Sequence, residues 1–139
     1  MALEIKILGR GDESFLPNVL PDVFDNPVNM KLTSEFLADS RHHLAVANHD
    51  GQVVGFSSAV GYTDPDKSQG LWINEDSVNS NYRNRGLAKL VLGALREFGR
   101  QLGCRETWVL TDRPNTAAMR LYESLRDNGT DNVVFTFKL

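Results

Sequence analysis

The sequence is poor in cysteine, histidine and long apolar stretches, and each shortage argues against a class of protein. A single cysteine, Cys104, cannot form a disulfide within the chain, which is typical of the reducing cytoplasm, where we expect this protein to work. No apolar run approaches the roughly 20 residues that a membrane-spanning helix needs, so we expect no membrane partner. Residues 1–6 contain no long apolar stretch of a secretory signal. The three histidines lack metal-ligand spacing, so we expect no metal site.

The charge of the chain is mildly acidic and unevenly distributed. An isoelectric point near 5.6 argues against general binding of nucleic acid. Residues 1–76 contain 12 acidic and 5 basic side chains, whereas residues 77–139 contain 6 acidic and 10 basic ones. Two solvated surfaces are the simplest interpretation, and the alternative is a protein that binds one cationic and one anionic partner.

Periodicity and turn residues predict one domain, residues 1–139, of the α/β (α+β) class. Short helices are predicted after Asp12 and after a cap at Thr33-Ser34, and longer helices at Gly86 and Asn115. The predicted strands are residues 3–8, 44–47, 53–56, 71–78, 107–110 and 133–139. Residues 63–70 are predicted as a polar loop, and Asp50-Gly51 and Asn128-Gly129 as turns.

The most informative segment is the basic turn between residues 78 and 88. The first turn of a helix has unpaired N–H groups and a partial positive charge, so it attracts phosphate. Gly86 and Ala88 would let a diphosphate approach those N–H groups, and Arg83 and Arg85 add bidentate donors. An exposed basic helix start is the alternative, but the coincidence of small residues, arginines and a strand-to-helix turn favours a diphosphate site.

Two patterns in this half of the chain resemble a known family. Arg83-x-x-Gly86-x-Ala88 resembles the acyl-coenzyme A pyrophosphate signature of the GNAT superfamily of N-acetyltransferases. Asn115-x-x-Ala118-x-x-Leu121-Tyr122-Glu123 resembles its second signature, on the helix beside the pantetheine arm. The resemblance implies a GNAT-like fold, a mixed and mostly antiparallel sheet flanked by helices, with acetyl-coenzyme A as co-substrate and no metal.

A closer similarity is to the small aminoglycoside 3-N-acetyltransferases of that superfamily. It is based on Phe24-Asp25-Asn26-Pro27, the strand at residues 71–78 with its carboxylate, and Thr111-Asp112. Many superfamily members have two strands after the last helix, whereas only one is predicted here. A second subunit would then complete the acceptor site, and we expect a homodimer.

The resemblance also assigns residues to the cofactor and to the acceptor. The cofactor set is Ser77, Val78, Arg83, Asn84, Arg85, Gly86, Leu87, Ala88, Asn115, Ala118 and Tyr122. The acceptor set is Asp25, Glu75, Asp76 and Asp112, whose carboxylates would attract a polycationic amine such as an aminoglycoside.

An amine acceptor arrives as an ammonium ion and must lose a proton before it attacks a thioester. Glu75 and Asp76 are candidates for the base, and strand alternation places them on opposite faces unless a bulge intervenes. Glu75 is preferred because the resembling enzymes carry a carboxylate at the matching position. Asp76 is the second choice, and the alternative to a catalytic role is that one of the two acids is exposed at a strand end and the other binds a basic side chain.

The resemblance implies two further catalytic groups. The N–H of Val78 would hold the oxyanion of the tetrahedral intermediate, and Tyr122 would protonate the departing thiolate. Tyr122 lies on an apolar helical stripe, so a packed core tyrosine is the alternative.

The expected activity is direct acetyl transfer in a ternary complex, with an aminoglycoside as the acceptor. Another small amine, or a protein lysine or N-terminus, is an alternative acceptor. A non-catalytic coenzyme A–binding regulatory module is a more distant alternative.

Overall fold

The computed structural model describes residues 3–125 and 129–139 and contains one five-stranded sheet. Its strands are β1 (Leu3–Leu8), β2 (His42–His49), β3 (Gln52–Asp64), β4 (Lys67–Val78) and β5 (Thr107–Val109). They lie in chain order across the sheet, antiparallel except for β5, which is parallel to β4. The helices are α1 (Met30–Ala38), α2 (Leu87–Gln101) and α3 (Thr116–Glu123), with short 3₁₀ turns at Glu13–Asn18 and Ser80–Tyr82.

Alternation along the strands separates the apolar core into two layers. On β2, Leu44 and Val46 pack with residues of α1 and the first 3₁₀ turn, whereas Ala45 and Ala47 pack with α2. The stripe predicted for α2 is buried in that second layer, where Val91 and Leu95 have no exposed surface. The sheet therefore separates an α1 face from an α2 face, and a side chain on β4 belongs to one face or the other.

Two local predictions are wrong. The polar segment at residues 63–70 is a tight hairpin rather than a loop, because the Asp64-Pro65-Asp66-Lys67 turn lets β3 and β4 pair almost to their tips. Helix α1 begins before the predicted cap at Thr33-Ser34. The side chain of Asn29 caps it instead, by accepting a hydrogen bond from the Leu32 N–H at 3.0 Å.

The strand predicted at residues 133–139 is also absent. Residues 129–139 carry no helix or strand, and their apolar side chains are exposed. A strand pattern gains stability from cross-strand neighbours, and within the described residues this segment has none. The turn predicted at Asn128-Gly129 begins outside the described residues.

Candidate active site

The start of α2 has the geometry that the sequence predicts. Gly86 precedes the helix with φ +77°, a left-handed conformation that favours glycine, and a Cβ there would meet only open space. The first-turn N–H groups of Leu87, Ala88 and Lys89 have no partner inside the helix. This end of α2 is therefore an accessible cluster of N–H donors with a partial positive charge.

The basic residues before α2 have different surroundings. The Nε atom of Arg83 donates to the Val78 carbonyl at 3.1 Å, which ties the turn to the end of β4. The guanidinium of Arg85 lies 5.1 Å from the centre of the Tyr82 ring and is exposed, as is Asn84. Arg85 is therefore the arginine better placed to meet an anion, and Arg83 also has a structural role.

The end of β4 is open on the side that faces β5. Pairing between the two strands covers only Leu71–Ile73 and Thr107–Val109. On the other side, the N–H of Asn79 donates to the Val54 carbonyl at 2.8 Å. Because successive peptide groups along a strand point to opposite sides, the N–H of Val78 points to the open edge.

Glu75 and Asp76 lie on opposite faces of the sheet, as alternation predicts. A β-bulge at Asn74 shifts the register, so that Glu75 pairs with Ser58 while Ile73 pairs with Ala59. As a result Asn74 and Glu75 both line the α1 face, where the Ser58 hydroxyl donates to Asn74 Oδ1 at 2.7 Å. The bulge and the Asn74 contact were not predicted, since nothing in the local sequence marks an inserted residue.

A cavity of about 300 Å³ lies on the α1 face and contains two of the predicted acceptor carboxylates, Asp25 and Glu75. Phe24 and Phe56, stacked with their ring centres 4.1 Å apart, form part of its apolar wall. Burial and the neighbouring negative charge of Asp25 raise the pKa of Glu75 above its usual value. The cavity can therefore receive a cationic, partly apolar ligand beside a carboxylate of increased basicity.

The other two predicted acceptor residues lie elsewhere. Asp76 contacts Tyr122 on the α2 face, and its Oδ2 accepts a hydrogen bond from the Tyr122 hydroxyl at 2.6 Å. Asp112 is exposed in the turn before α3, where its carbonyl accepts the Asn115 N–H at 2.9 Å. Neither residue lines the cavity that contains Glu75.

The contact between Asp76 and Tyr122 perturbs both groups. Burial raises the pKa of Asp76, and the opposing effects of the Ser57 and Tyr122 hydroxyl groups offset it only in part. Burial and the nearby Asp76 carboxylate also raise the pKa of Tyr122. Tyr122 is held in place because Asn115 caps α3, accepting the Ala118 N–H at 3.1 Å. Tyr122 is thus a neutral donor whose hydroxyl is oriented by a partly buried carboxyl group.

One further acid has a structural partner. The carboxylate of Asp22 accepts hydrogen bonds from the Asn79 side chain at 3.0 Å and from the Ser80 N–H at 3.2 Å. These bonds fasten the loop before α1 to the end of β4. Asp22 therefore helps to fix the position of the cavity wall relative to Val78.

None of the helices in residues 3–125 and 129–139 is long and apolar enough to cross a membrane. No group of three or more histidine, cysteine, aspartate or glutamate side chains in those ranges is arranged to hold a metal ion.

The raised pKa of Asp76 gives a testable prediction for stability. The folded state binds the Asp76 proton more tightly than the unfolded state does. The stability that this proton contributes is therefore complete below the pKa that Asp76 has in the unfolded chain, and it is lost as the pH rises through the pKa of Asp76 in the folded state. Asp76→Asn has no such ionisation. We therefore expect the variant to gain stability relative to wild type between pH 3.5 and pH 7, measured by urea unfolding. A stability difference that does not change with pH would contradict the assignment.

Comparison with known proteins identifies the family. Residues 14–126 match the acetyltransferase (GNAT) family. An aminoglycoside N(6')-acetyltransferase type 1 of Salmonella typhimurium is 31% identical over 99 residues, which cover 67% of this chain and 68% of that protein. Rat N-acetyltransferase 8 is 30% identical over 95 residues, 68% of this chain and 43% of that protein.

Solved structures agree on the fold. The aminoglycoside acetyltransferase AAC(6')-Iy, in complex with the bisubstrate analogue CoA-S-monomethyl-acetylneamine, superposes with a TM-score of 0.82 at 22% identity over 100% of this chain and 99% of that one. The aminoglycoside acetyltransferase meta-AAC0020 from an uncultured soil sample, in complex with sisomicin, gives a TM-score of 0.82 at 18% identity over 99% and 95% of the two chains. The chain belongs to the acetyltransferase (GNAT) family and is an N-acetyltransferase.

Proposed function

We propose that this enzyme transfers the acetyl group of acetyl-coenzyme A directly to an amine of an aminoglycoside. The observation that carries the proposal is the arrangement around the end of β4. The cavity with Asp25 and Glu75 lies on one face, the Tyr122–Asp76 pair lies on the other, and the open edge at Val78 lies beside the start of α2. An acceptor site and a cofactor site can therefore meet at one strand.

The start of α2 fits the diphosphate of acetyl-coenzyme A. A Cβ at Gly86 would meet only open space, and the neighbouring Arg85 is exposed, so a diphosphate could approach the first-turn N–H groups there. Asn84, Leu87 and Ala88 belong to the same turn, while Arg83 holds the turn against Val78. Ser77 and Val78 on β4, with Asn115, Ala118 and Tyr122 on α3, would border the pantetheine arm. The co-substrate supplies the acetyl thioester.

Glu75 is the proposed base. Its raised pKa makes it a better proton acceptor than an ordinary glutamate, and it shares the cavity with Asp25, which would hold a second ammonium group of the acceptor. The N–H of Val78, which faces the open edge, would donate to the oxyanion.

Tyr122 and Asp76 are proposed to act together on the other side of β4. The Tyr122 hydroxyl would give its proton to the departing thiolate. A charged Asp76 disfavours the negative charge that Tyr122 would carry after it gives up its proton. The proton transfer to the thiolate is therefore most favourable when Asp76 is protonated and passes its own proton to the Tyr122 oxygen. Glu75 and Asp76 would then serve opposite ends of one reaction, from opposite faces of one strand.

An aminoglycoside fits the cavity because it is a polycation with sugar rings. Two carboxylates, the amide groups of Asn26 and Asn74, and the Phe24–Phe56 pair line the space. The sequence resemblance indicates the 3-N amine, whereas relatives are named for the 6' amine. The nature of the product decides between these two positions.

Replacement of the proposed base tests its role. Glu75→Gln keeps the shape of the side chain and removes its basicity, so we expect kcat to fall by about 10²–10⁴-fold. Acetyl-coenzyme A should bind as it does to wild type, since Glu75 lies on the α1 face. Glu97→Gln, the same change at an exposed position of α2, is the matched control and should keep wild-type kcat. A Glu75→Gln variant with wild-type kcat would exclude Glu75 as the base.

A panel of acceptors tests the substrate class. Release of free thiol from acetyl-coenzyme A would be followed with sisomicin, neamine, spermidine, a lysine peptide and a peptide with N-terminal alanine. We expect the aminoglycosides to give the highest kcat/KM, because only they combine several ammonium groups with a ring scaffold. NMR of the product would distinguish 3-N from 6' acetylation. Preferential turnover of spermidine or a peptide would overturn the proposed acceptor.

A further inference from the structure

Tyr82 lies in the short turn between β4 and α2, beside an arginine of the proposed diphosphate site. The Arg85 guanidinium lies over the Tyr82 ring, 5.1 Å from its centre, a distance at which the face of an aromatic ring attracts a cation. Arg41 and Arg100 form ion pairs with carboxylates, whereas in the described part of the chain Arg85 forms none. The charge of Arg85 is therefore held by a ring and is not neutralised by an acid.

Hydrogen bonds fix the Tyr82 residue at both of its ends. The hydroxyl group forms a hydrogen bond of 2.7 Å with Nδ1 of His49, at the end of β2. The other ring nitrogen of His49, Nε2, lies 3.5 Å from a carboxylate oxygen of Asp50, which favours a proton on Nε2 and leaves Nδ1 to accept from the Tyr82 hydroxyl. At the backbone, the Tyr82 N–H donates to the Asn79 carbonyl at 2.8 Å. The ring is thus tied to the β2–β3 hairpin and to the end of β4.

Packing also makes the Tyr82 ring a firm support. The His49 side chain is only 11% exposed, and its ring meets the Tyr82 ring edge-on with the two centres 5.4 Å apart. Tyr82 also packs against the core layer that contains Val91 and Leu95 of α2. A half-buried ring therefore lies under an exposed guanidinium.

This arrangement reduces the cost of binding an anion. A long arginine side chain loses rotamer freedom when it binds, and a contact that already orders the side chain lowers that loss. The N–H donors of a guanidinium radiate in its plane, so an arginine that lies over a ring keeps them for a phosphate. The stacked Arg85 can therefore meet the diphosphate with its donors free.

We propose that Tyr82, fixed by His49, is a positioning residue that holds the Arg85 guanidinium at the start of α2 for the diphosphate of the co-substrate. The proposal rests on the function proposed above, since it assigns a support to one arm of that diphosphate site. It gives His49, which has no metal-ligand spacing, a role through its contact with Tyr82.

The affinities of two ligands test the role of Tyr82. 3'-Dephospho-coenzyme A carries the diphosphate and pantetheine does not, and titration calorimetry measures both affinities. Tyr82→Leu removes the ring, so we expect binding of 3'-dephospho-coenzyme A to weaken by about two- to fivefold, the factor for an exposed cation–π contact, while pantetheine binds as before. Tyr62→Leu is the matched control, because it removes a ring that lies under Arg105 near the other end of α2, and it should keep both affinities.

A double-mutant cycle shows whether the effect of Tyr82 passes through Arg85. Arg85→Ala should itself weaken binding of 3'-dephospho-coenzyme A, and Tyr82→Leu should add nothing in that background. A loss of the same size with and without Arg85, or wild-type affinity in Tyr82→Leu, would overturn the proposal. If the wild-type enzyme bound 3'-dephospho-coenzyme A no more tightly than pantetheine, the diphosphate site would be refuted, and the role of Tyr82 with it.

A change of the ring at constant shape separates attraction of the cation from packing. Tyr82→Phe keeps the aromatic face, whereas trifluorophenylalanine at position 82 has nearly the same shape but withdraws negative charge from that face. Both variants keep the packing against α2, so circular dichroism should show both folded. We expect Tyr82→Phe to bind 3'-dephospho-coenzyme A more tightly than the fluorinated variant does. Equal affinities would contradict the proposed contact.

Discussion

The separation of β4 from β5 is the constraint on which the site depends. β4 stays paired with β3 as far as Val78, but its pairing with β5 ends at Ile73. Five residues of one strand are therefore held firmly on one side and open on the other. Peptide groups in that stretch can bind a ligand, because they point into the opening instead of into a sheet ladder.

Pairing on one side alone also explains why the two consecutive acids have different surroundings. With β3 fixing the register, Glu75 faces the cavity under α1, and Asp76 faces Tyr122 on α3. The bulge at Asn74 brings a second polar side chain to the cavity without moving Asp76. Glu75 and Asp76 thus lie in different surroundings on opposite faces of one strand, and burial raises the pKa of each carboxyl group.

The sequence predicts the parts of this arrangement that local patterns determine. Gly86 at the start of α2 and Asn115 at the start of α3 are helix-boundary signals, and both have that role here. Alternation correctly separates Glu75 from Asp76. The bulge and the Tyr122–Asp76 contact depend on which segments meet in space, so local patterns do not show them. The cap at Asn29 is itself a local signal, and the predicted start of the helix is at Thr33-Ser34 instead. Residues 133–139 have the alternating pattern of a strand but form none, because a strand also needs a neighbour to pair with, and the local pattern does not supply one.

Titration calorimetry tests most directly whether the first turn of α2 binds the diphosphate of the co-substrate. Coenzyme A, 3'-dephospho-coenzyme A and pantetheine would each be titrated into the wild-type enzyme. Charge-assisted hydrogen bonds contribute about 1.5–3 kcal/mol each, so the two ligands with a diphosphate should bind at least about 100-fold more tightly than pantetheine. Equal affinity for pantetheine and 3'-dephospho-coenzyme A would contradict the claim.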